Sequence, residues 1–355
     1  MNRVEAVQRI ADRVISKMES EEERKQAYLH AYGAAECCAM LAARRGVNTE
    51  IAYISGLLHD LYAYQTGSYM CHAPSGADMA GEALRGLDFT DEEKIVVQSA
   101  IFHHAYKELV HDVYDEILKD ADVLQPFYSD SGTRVSALTK GRLEKTLLSL
   151  GIPLSPAVEV FPPESGPSES AFRRERLAEA AQKLTSRGMR GEAADPDFME
   201  IIRYFPEDSV QDDLAFGWGA AFVYHCALKA GLEFPVRFRP ASRFRFSRVE
   251  AWLEWGQEAG LCFTEKDGET PARGDLVIRS ASEPRSREAS IGVVLTVEAE
   301  RLTVAQGPFD RQNLAGLTEW SRSDLDVCYL RIPDGCLYDG WKYDYKTQQL
   351  RMQVF

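Results

Sequence analysis

The stretch "SGLLHDLYAYQ", residues 55–65, constrains the fold of this chain more than any other. Ile54, Leu57, Leu58 and Leu61 recur at helical spacing and ask for burial, which puts His59 and Asp60 among them. An imidazole and a carboxylate in apolar surroundings cost several kcal/mol unless each finds a partner. Adjacent residues on a helix diverge by about 100°, so the two cannot share one flat packed face. Both can reach a cation at the edge between them. The segment therefore belongs where other polar groups converge.

Six of the seven histidines, His30, His59, His72, His103, His104 and His111, lie between residues 30 and 111. Histidine is the commonest metal ligand, and the region around these residues reads as helical. "QAYLHAYGAAECCAMLAARRG" closes on Arg44 and Arg45 before Gly46, and "NTEIAYISGLLHDL" starts on Asn48 as N-cap. "FTDEEKIVVQSAIFHHAYK" opens with Thr90 and Glu93 at capping-box spacing. "DVYDEILKDADVLQPF" follows and is expected to stop at Pro126, and "GRLEKTLLSL" predicts one more helix. The N-terminal 26 residues read as a single amphipathic, charged helix. His30, the His59-Asp60 pair and Asp122 thus stand on three helices, a set of two imidazoles and two carboxylates suited to one ion.

This order of residues resembles the HD-domain superfamily of metal-dependent phosphohydrolases, and "SGLLHDL" is similar to its signature. "HAPSGADMA" and "AIFHH" resemble the additional histidine motifs of HD proteins that hold two metals. The resemblance covers roughly residues 20–130. It implies that His30, His59, Asp60 and Asp122 bind a first ion and that His72, His104 and Asp60 bind a second. It also implies that His59 and Asp60 carry the chemistry. Two ions polarise the phosphoryl group and activate a water as nucleophile. Ligands of nitrogen and oxygen without thiolate suit iron, manganese or a similar divalent transition ion. His103 is then either a support for the ligands or a packed side chain, and His111 is expected in solvent. Asp120 is assigned to a helix surface. Lys107 and Lys119 are candidate phosphate contacts, and Tyr62 and Tyr64 are candidate liners of a substrate pocket.

From about residue 151 the texture changes, and "GIPLSPAVEVFPPESGPSES" concentrates proline, glycine and serine. The expected division is 1–150 for the HD domain, 151–194 for a linker with a charged helix, and 195–355 for a second domain. In that last part "WGAAFVYHCALKAG" reads as a helix before the β-rich runs "GDLVIRS", "SIGVVLTVE", "RLTVAQG" and "VCYLRIP". The expected fold class is multidomain: an all-α helical bundle followed by an α+β domain. The second part resembles the NlpC/P60 and CHAP group of papain-like enzymes over about residues 195–335. The resemblance puts Gly219 at the nucleophile position, Ser290 at the base position and Gln306 at the third. Glycine has no thiol and serine accepts no proton near neutral pH, so this domain is expected to be catalytically inactive. Cys226 lies two turns deeper than the helix start and reads as structural. Trp218, Phe216, Arg273 and Asp310 are candidate groove liners.

A net charge of −14 opposes extended contact with nucleic acid. No apolar run is long enough to span a membrane, and the N-terminus lacks the apolar core of an export signal. Seven cysteines without a CxxC pair read as reduced thiols in a cytoplasmic protein. The function expected is hydrolysis of a phosphate ester or anhydride in a small molecule, most plausibly a nucleotide, and a homo-oligomer is left open. The alternatives are a dinuclear-iron HD oxygenase and a non-enzymatic nucleotide sensor.

Overall fold

The computed structural model describes residues 2–129, 134–153, 159–161, 171–206, 214, 217–240, 242–279, 289–308, 313–323, 327–340 and 343–347. Phe216 and Asp310 lie outside them. The chain divides into two compact units, Met1–Gly166 with Trp341–Phe355, and Pro167–Gly340. The first unit therefore runs past residue 150 and takes in the C-terminal stretch.

The first unit is helical: α1 Arg3–Ser16, α2 Glu21–Arg45, α3 Thr49–Leu58, α4 Leu61–Thr66, α5 His72–Ala83, α6 Asp91–His103, α7 Val113–Ser129 and α8 Lys140–Ser149. The single N-terminal helix expected from sequence is two, because the Ser20 side chain accepts from the Glu23 amide and starts α2 afresh. Asn48 caps α3, and Thr90 with Glu93 forms the capping box of α6. Pro126 does not stop α7, which continues to Ser129. Proline deletes only the one amide bond it would have donated, and so near a C-terminus the turn survives. Two short strands, β1 Arg134–Ser136 and β2 Glu159–Phe161, pair in parallel, β2 coming from the expected linker region.

Helices α2 and α3 approach closely at Gly56. A Cβ at this position would lie 2.8 Å from the Ala35 Cα and 2.9 Å from the Ala34 carbonyl oxygen. Glycine is what lets the C-terminal end of α3 lie against α2, and that end carries His59. Ile54, Leu57 and Leu58 are fully buried around it.

The second unit has helices α9 Arg174–Ser186, α10 Pro196–Ile202, α11 Gly219–Lys229 and α12 Val249–Glu258. Its sheet comprises β3 Cys262–Phe263, β4 Leu276–Arg279, β5 Ser290–Val297, β6 Arg301–Gln306, β7 Gly316–Ser321 and β8 Val327–Leu330. The strand order is β3-β8-β4-β5-β6-β7, with antiparallel pairing throughout. The four β-rich runs of the sequence are β4, β5, β6 and β8. The edge strands β3 and β7 and helix α12 carried no comparable signal. One face of the sheet packs Phe263, Val277, Val294, Leu302, Val304, Trp320, Val327 and Tyr329 together. The charged helix α9 buries Leu177, Ala178, Ala181 and Leu184 and packs on β5, β6 and β7, so it is part of this unit's core. Among the described residues no helix is long and apolar enough to cross a membrane.

Candidate metal centre

Five helices of the first unit, with the step between α3 and α4, deliver six side chains to one place. His30 comes from the middle of α2, His59 from the end of α3, Asp60 from the step into α4, His72 from the start of α5, His104 from the end of α6 and Asp122 from α7. His72 is aimed by Cys71, whose φ of 47° is unusual for a residue with a Cβ.

The ligand atoms fall into two sets joined by Asp60. Around its Oδ2, His30 Nε2 lies 3.6 Å away and His59 Nε2 3.4 Å away. Asp122 Oδ1 completes this set, at 3.2 Å from His30 Nε2 and 3.5 Å from His59 Nε2. Around Asp60 Oδ1, His72 Nε2 lies at 3.5 Å and His104 Nε2 at 3.6 Å. The Nε2 atoms of His72 and His104 stand 3.0 Å apart. At metal–ligand bonds of about 2.0–2.2 Å, atoms around one tetrahedral or octahedral ion stand about 3.0–3.5 Å apart. The spacings in both sets correspond to such edges.

The tautomers make the fit sharper. Each Nδ1 has an oxygen acceptor: Gln125 Oε1 for His30 at 2.6 Å, the Gly56 carbonyl for His59 at 2.7 Å, the Tyr69 carbonyl for His72 at 2.7 Å and the Ile101 carbonyl for His104 at 2.6 Å. Each neutral ring then carries its proton on Nδ1 and turns a lone pair inward from Nε2. Lone pairs and carboxylate oxygens face one another without a donor, and Asp60 Oδ1 is buried with no hydrogen-bond partner. This is a site short of positive charge. His30, His59 and Asp122 form one group that could hold a metal ion, and His59, Asp60 and His104 another.

The titration behaviour expresses the same shortage. Burial opposes a charge on His59, yet Asp60 and Asp122 outweigh it and raise its pKa to about 9. Burial pushes His104 down to about 4, against the pull of Asp60. Burial would raise Asp60, but His59 and His104 hold it well below the usual carboxylate range. Asp122 is likewise held low despite burial, chiefly by Lys107.

Lys107 reaches the site, bonded to Asp122 Oδ2 and at 2.6 Å from the His104 carbonyl oxygen. Its charge is committed to Asp122, leaving Oδ1 of that residue to face the histidines. Tyr64 is buried, its hydroxyl unpartnered, and lines a cavity of about 630 Å³ together with His30, Tyr69, Glu22 and Glu23. Tyr62 is buried and is not among the lining residues.

His103 takes one of its two expected roles, and three other residues, His111, Lys119 and Asp120, are placed differently from expectation. His103 turns away from the centre to Ser99 and Asp115 and stacks on His111, with ring centroids 3.9 Å apart. It is a packed side chain. His111 is not simply in solvent, because that stack and the Lys119 ammonium at 2.6 Å from Nδ1 cover it. Lys119 is fully buried against Glu116 and the Leu109 carbonyl, out of reach of a substrate. Asp120 is buried rather than surface-lying, paired with Arg45 and, at 2.7 Å, with Arg142. Gln125 was missed in sequence, although its position three residues after Asp122 on α7 puts both on one helix face.

In the second unit Gly219, Ser290 and Gln306 do meet, lining one cavity of about 120 Å³. A Cβ on Gly219 would lie 2.4 Å from the Gly307 carbonyl oxygen, so the backbone leaves no room for a side chain there. Burial raises the Cys226 thiol far above its usual range, consistent with a structural role. Arg273 is held by Glu175 and the Leu295 carbonyl, and Trp218 by Asn313.

The HD domain family matches residues 27–126, a span containing all six convergent residues. A crystal structure of a predicted HD superfamily hydrolase from an uncultured Thermotogales bacterium, at 1.45 Å resolution, is similar at 23% identity. The similarity covers 38% of this chain and 72% of that one, with a TM-score of 0.29. No curated protein matches. Residues 27–126 thus match the HD domain, a domain of metal-dependent phosphohydrolases.

Proposed function

We propose that the HD unit holds two divalent transition ions and hydrolyses a phosphate ester or anhydride of a small molecule. The observation that carries this reading is the division of Asp60. Its Oδ2 faces His30 and His59, its Oδ1 faces His72 and His104, and no side chain donates to Oδ1. When bound, two such ions supply Lewis acidity toward the phosphoryl oxygens and lower the pKa of water. The donor set is nitrogen and oxygen only, which favours iron or manganese over a structural zinc.

The chain's own residues do the rest. Four Nδ1–H donors lock the imidazoles in one orientation, so no reorganisation is required when a cation arrives. Lys107 holds Asp122 from behind and neutralises its outer oxygen. The cavity beside His30 takes the part of the substrate that does not react. Its Tyr64 and Tyr69 walls offer aromatic surface to a base, and the unpartnered Tyr64 hydroxyl offers a hydrogen bond. Glu22 and Glu23 at the same cavity repel additional phosphates. A nucleotide substrate is therefore read as a monophosphate rather than a triphosphate.

We read the second unit as a papain-like fold without its nucleophile, kept for binding or packing. The close approach of Gly307 to Gly219 supports this reading, because it leaves no space for a cysteine side chain.

The test is metal analysis of the purified chain together with phosphate release from monophosphates and triphosphates. Two equivalents of transition metal and faster turnover of monophosphates are expected. His59→Ala should lower phosphate release at least about a hundredfold. A chain that binds no transition metal, or a His59→Ala variant of undiminished activity, overturns the hydrolase reading. Oxygen consumption with ferrous iron and no phosphate release would favour the oxygenase, and tight nucleotide binding without turnover would favour the sensor.

A further inference from the structure

On the reading of the first unit as a two-ion hydrolase centre, we infer that Arg142 is a positioning residue for that centre, acting through Lys107 on both ligand sets. Arg142 stands in the first turn of α8. Its Nε at 3.2 Å and its Nη2 at 2.7 Å both donate to the Lys107 carbonyl oxygen. Its Nη1 donates to Glu116 Oε2 at 2.9 Å and to Asp120 Oδ1 at 2.7 Å. Two carboxylates of α7 thus hold the guanidinium, and the guanidinium holds the backbone at residue 107.

That backbone belongs to the connection 104–112 between α6 and α7, where the amides of Tyr106, Lys107 and Leu109 bond only to carbonyls two or three residues back. A lysine on such a connection has backbone and rotamer freedom to lose before its ammonium rests in one place. Fixing the Lys107 carbonyl removes part of that freedom in advance. The Lys107 ammonium bonds to Asp122 Oδ2 and, at 2.6 Å, to the His104 carbonyl oxygen. The first contact leaves Asp122 Oδ1 to His30 and His59. The second ties the same ammonium to the backbone that carries His104, whose Nε2 faces Asp60 Oδ1. One lysine therefore spans both ligand sets, and Arg142 decides where its stem begins.

Charge alone does not account for the arrangement. Glu116 and Asp120 together outbalance the guanidinium, so Arg142 adds no net positive field at the centre. What it supplies is geometry: a rigid planar fork that meets one carbonyl with two nitrogens and two carboxylates with the third. A lysine at 142 would keep a charge for Glu116 and Asp120, yet a single ammonium cannot reproduce the fork. Arg45 provides the internal comparison. It pairs with Asp120 Oδ2, so it shares a carboxylate with Arg142 while lying outside the link to Lys107.

The experiment compares Arg142→Ala, Arg142→Lys and Arg45→Ala in the full chain. Manganese affinity, read by competition with a chromophoric chelator, should fall about 10–100-fold in both Arg142 variants and stay close to the parent in Arg45→Ala. Denaturant unfolding should show Arg142→Lys retaining most of the parent's stability, so that affinity and stability part company. In the metal-free chain, hydrogen exchange of residues 104–109 should quicken about tenfold in Arg142→Ala and hardly at all in Arg45→Ala. Parent-like affinity in the Arg142 variants would overturn the positioning role alone. An equal loss in Arg45→Ala would overturn it too, by assigning the effect to general stability of the ion network. Full recovery in Arg142→Lys would show that charge suffices and the fork does not matter. A parent chain that binds no transition metal would overturn the hydrolase reading, and this role with it.

Discussion

The Nε2 atoms of His30 and His59 face each other across 3.1 Å, while the opposite nitrogen of each ring is committed to an oxygen. Two lone pairs cannot hydrogen-bond to one another. Their closeness is stable only with a cation between them, whether a proton or a metal. The rise of the His59 pKa to about 9 is the protonic form of that demand.

Metal should therefore act as a folding ligand for the first unit. A ligand that binds only the folded state stabilises it by about 2.7 kcal/mol at a hundred times its dissociation constant. Calorimetry of the purified chain should show the unfolding temperature of this unit rising with added divalent iron or manganese and falling with chelator. In Asp60→Asn the response should shrink sharply, since one carboxylate serves both ligand sets. An unfolding temperature indifferent to chelator would count against the site.

Gln125 is expected to matter as a positioning residue for His30. Its Oε1 accepts the Nδ1 proton at 2.6 Å, which fixes both the tautomer and the ring plane. Loss of such a supporting hydrogen bond typically costs about 10–100-fold in metal affinity. Gln125→Ala should show that loss by competition with a chromophoric chelator, and Gln125→Glu, which keeps an acceptor, should restore most of it. Equal affinities for all three proteins would remove Gln125 from the centre.

Gly56→Ala should damage stability and the metal site together. The added methyl would meet backbone atoms of Ala34 and Ala35 at 2.8–2.9 Å, and backbone cannot rotate aside as a side chain can. Overpacking of this kind costs about 1–3 kcal/mol. Denaturant unfolding should show the cost, and metal affinity should fall because α3 carries His59 away from His30. A variant as stable as the parent would mean that the two helices part easily.

Acid should weaken the second unit through His225. Burial lowers its pKa to about 4, against the attraction of Glu200. Between pH 6.5 and 4 the unfolded chain takes up a proton that the folded one refuses. The stabilisation is complete above pH 6.5, declines as pH falls toward 4, and changes no further below that. A shift of this size corresponds to about 3 kcal/mol. His225→Phe should flatten the slope in pH-dependent denaturation of this unit. An unchanged slope would assign the acid sensitivity to another group.

What could be read from sequence was set by the range of each interaction. Asn48, Ser20 and Thr90 act on amides within three residues, so caps of this kind are a local signal in the sequence. The six convergent side chains were legible because their spacing resembles a family whose residue roles were already distinct. Asp120 and Lys119 were not, since Arg45, Arg142 and the Leu109 carbonyl, distant in sequence or unmarked in it, turn a helix surface into a buried ion network. His103 and His104 differ by one position and face different neighbourhoods, which only the "AIFHH" resemblance distinguished. Strand β7 alternates buried and exposed residues over six positions, too few to stand out from a loop.

The first unit is closed by residues from the far end of the chain. Tyr345 is buried, its ring centroid 5.2 Å from that of Phe102, and Lys346 pairs with Asp112. Phe102 lies two residues before His104 on the helix that ends in the metal centre. In chain order, the second unit is thus an insertion within the first. A fragment cut after residue 166 keeps every proposed ligand yet exposes an aromatic surface two residues from one of them. Its failure to load metal would say nothing against the ligands, and domain dissection of this protein has to carry the tail along with the head.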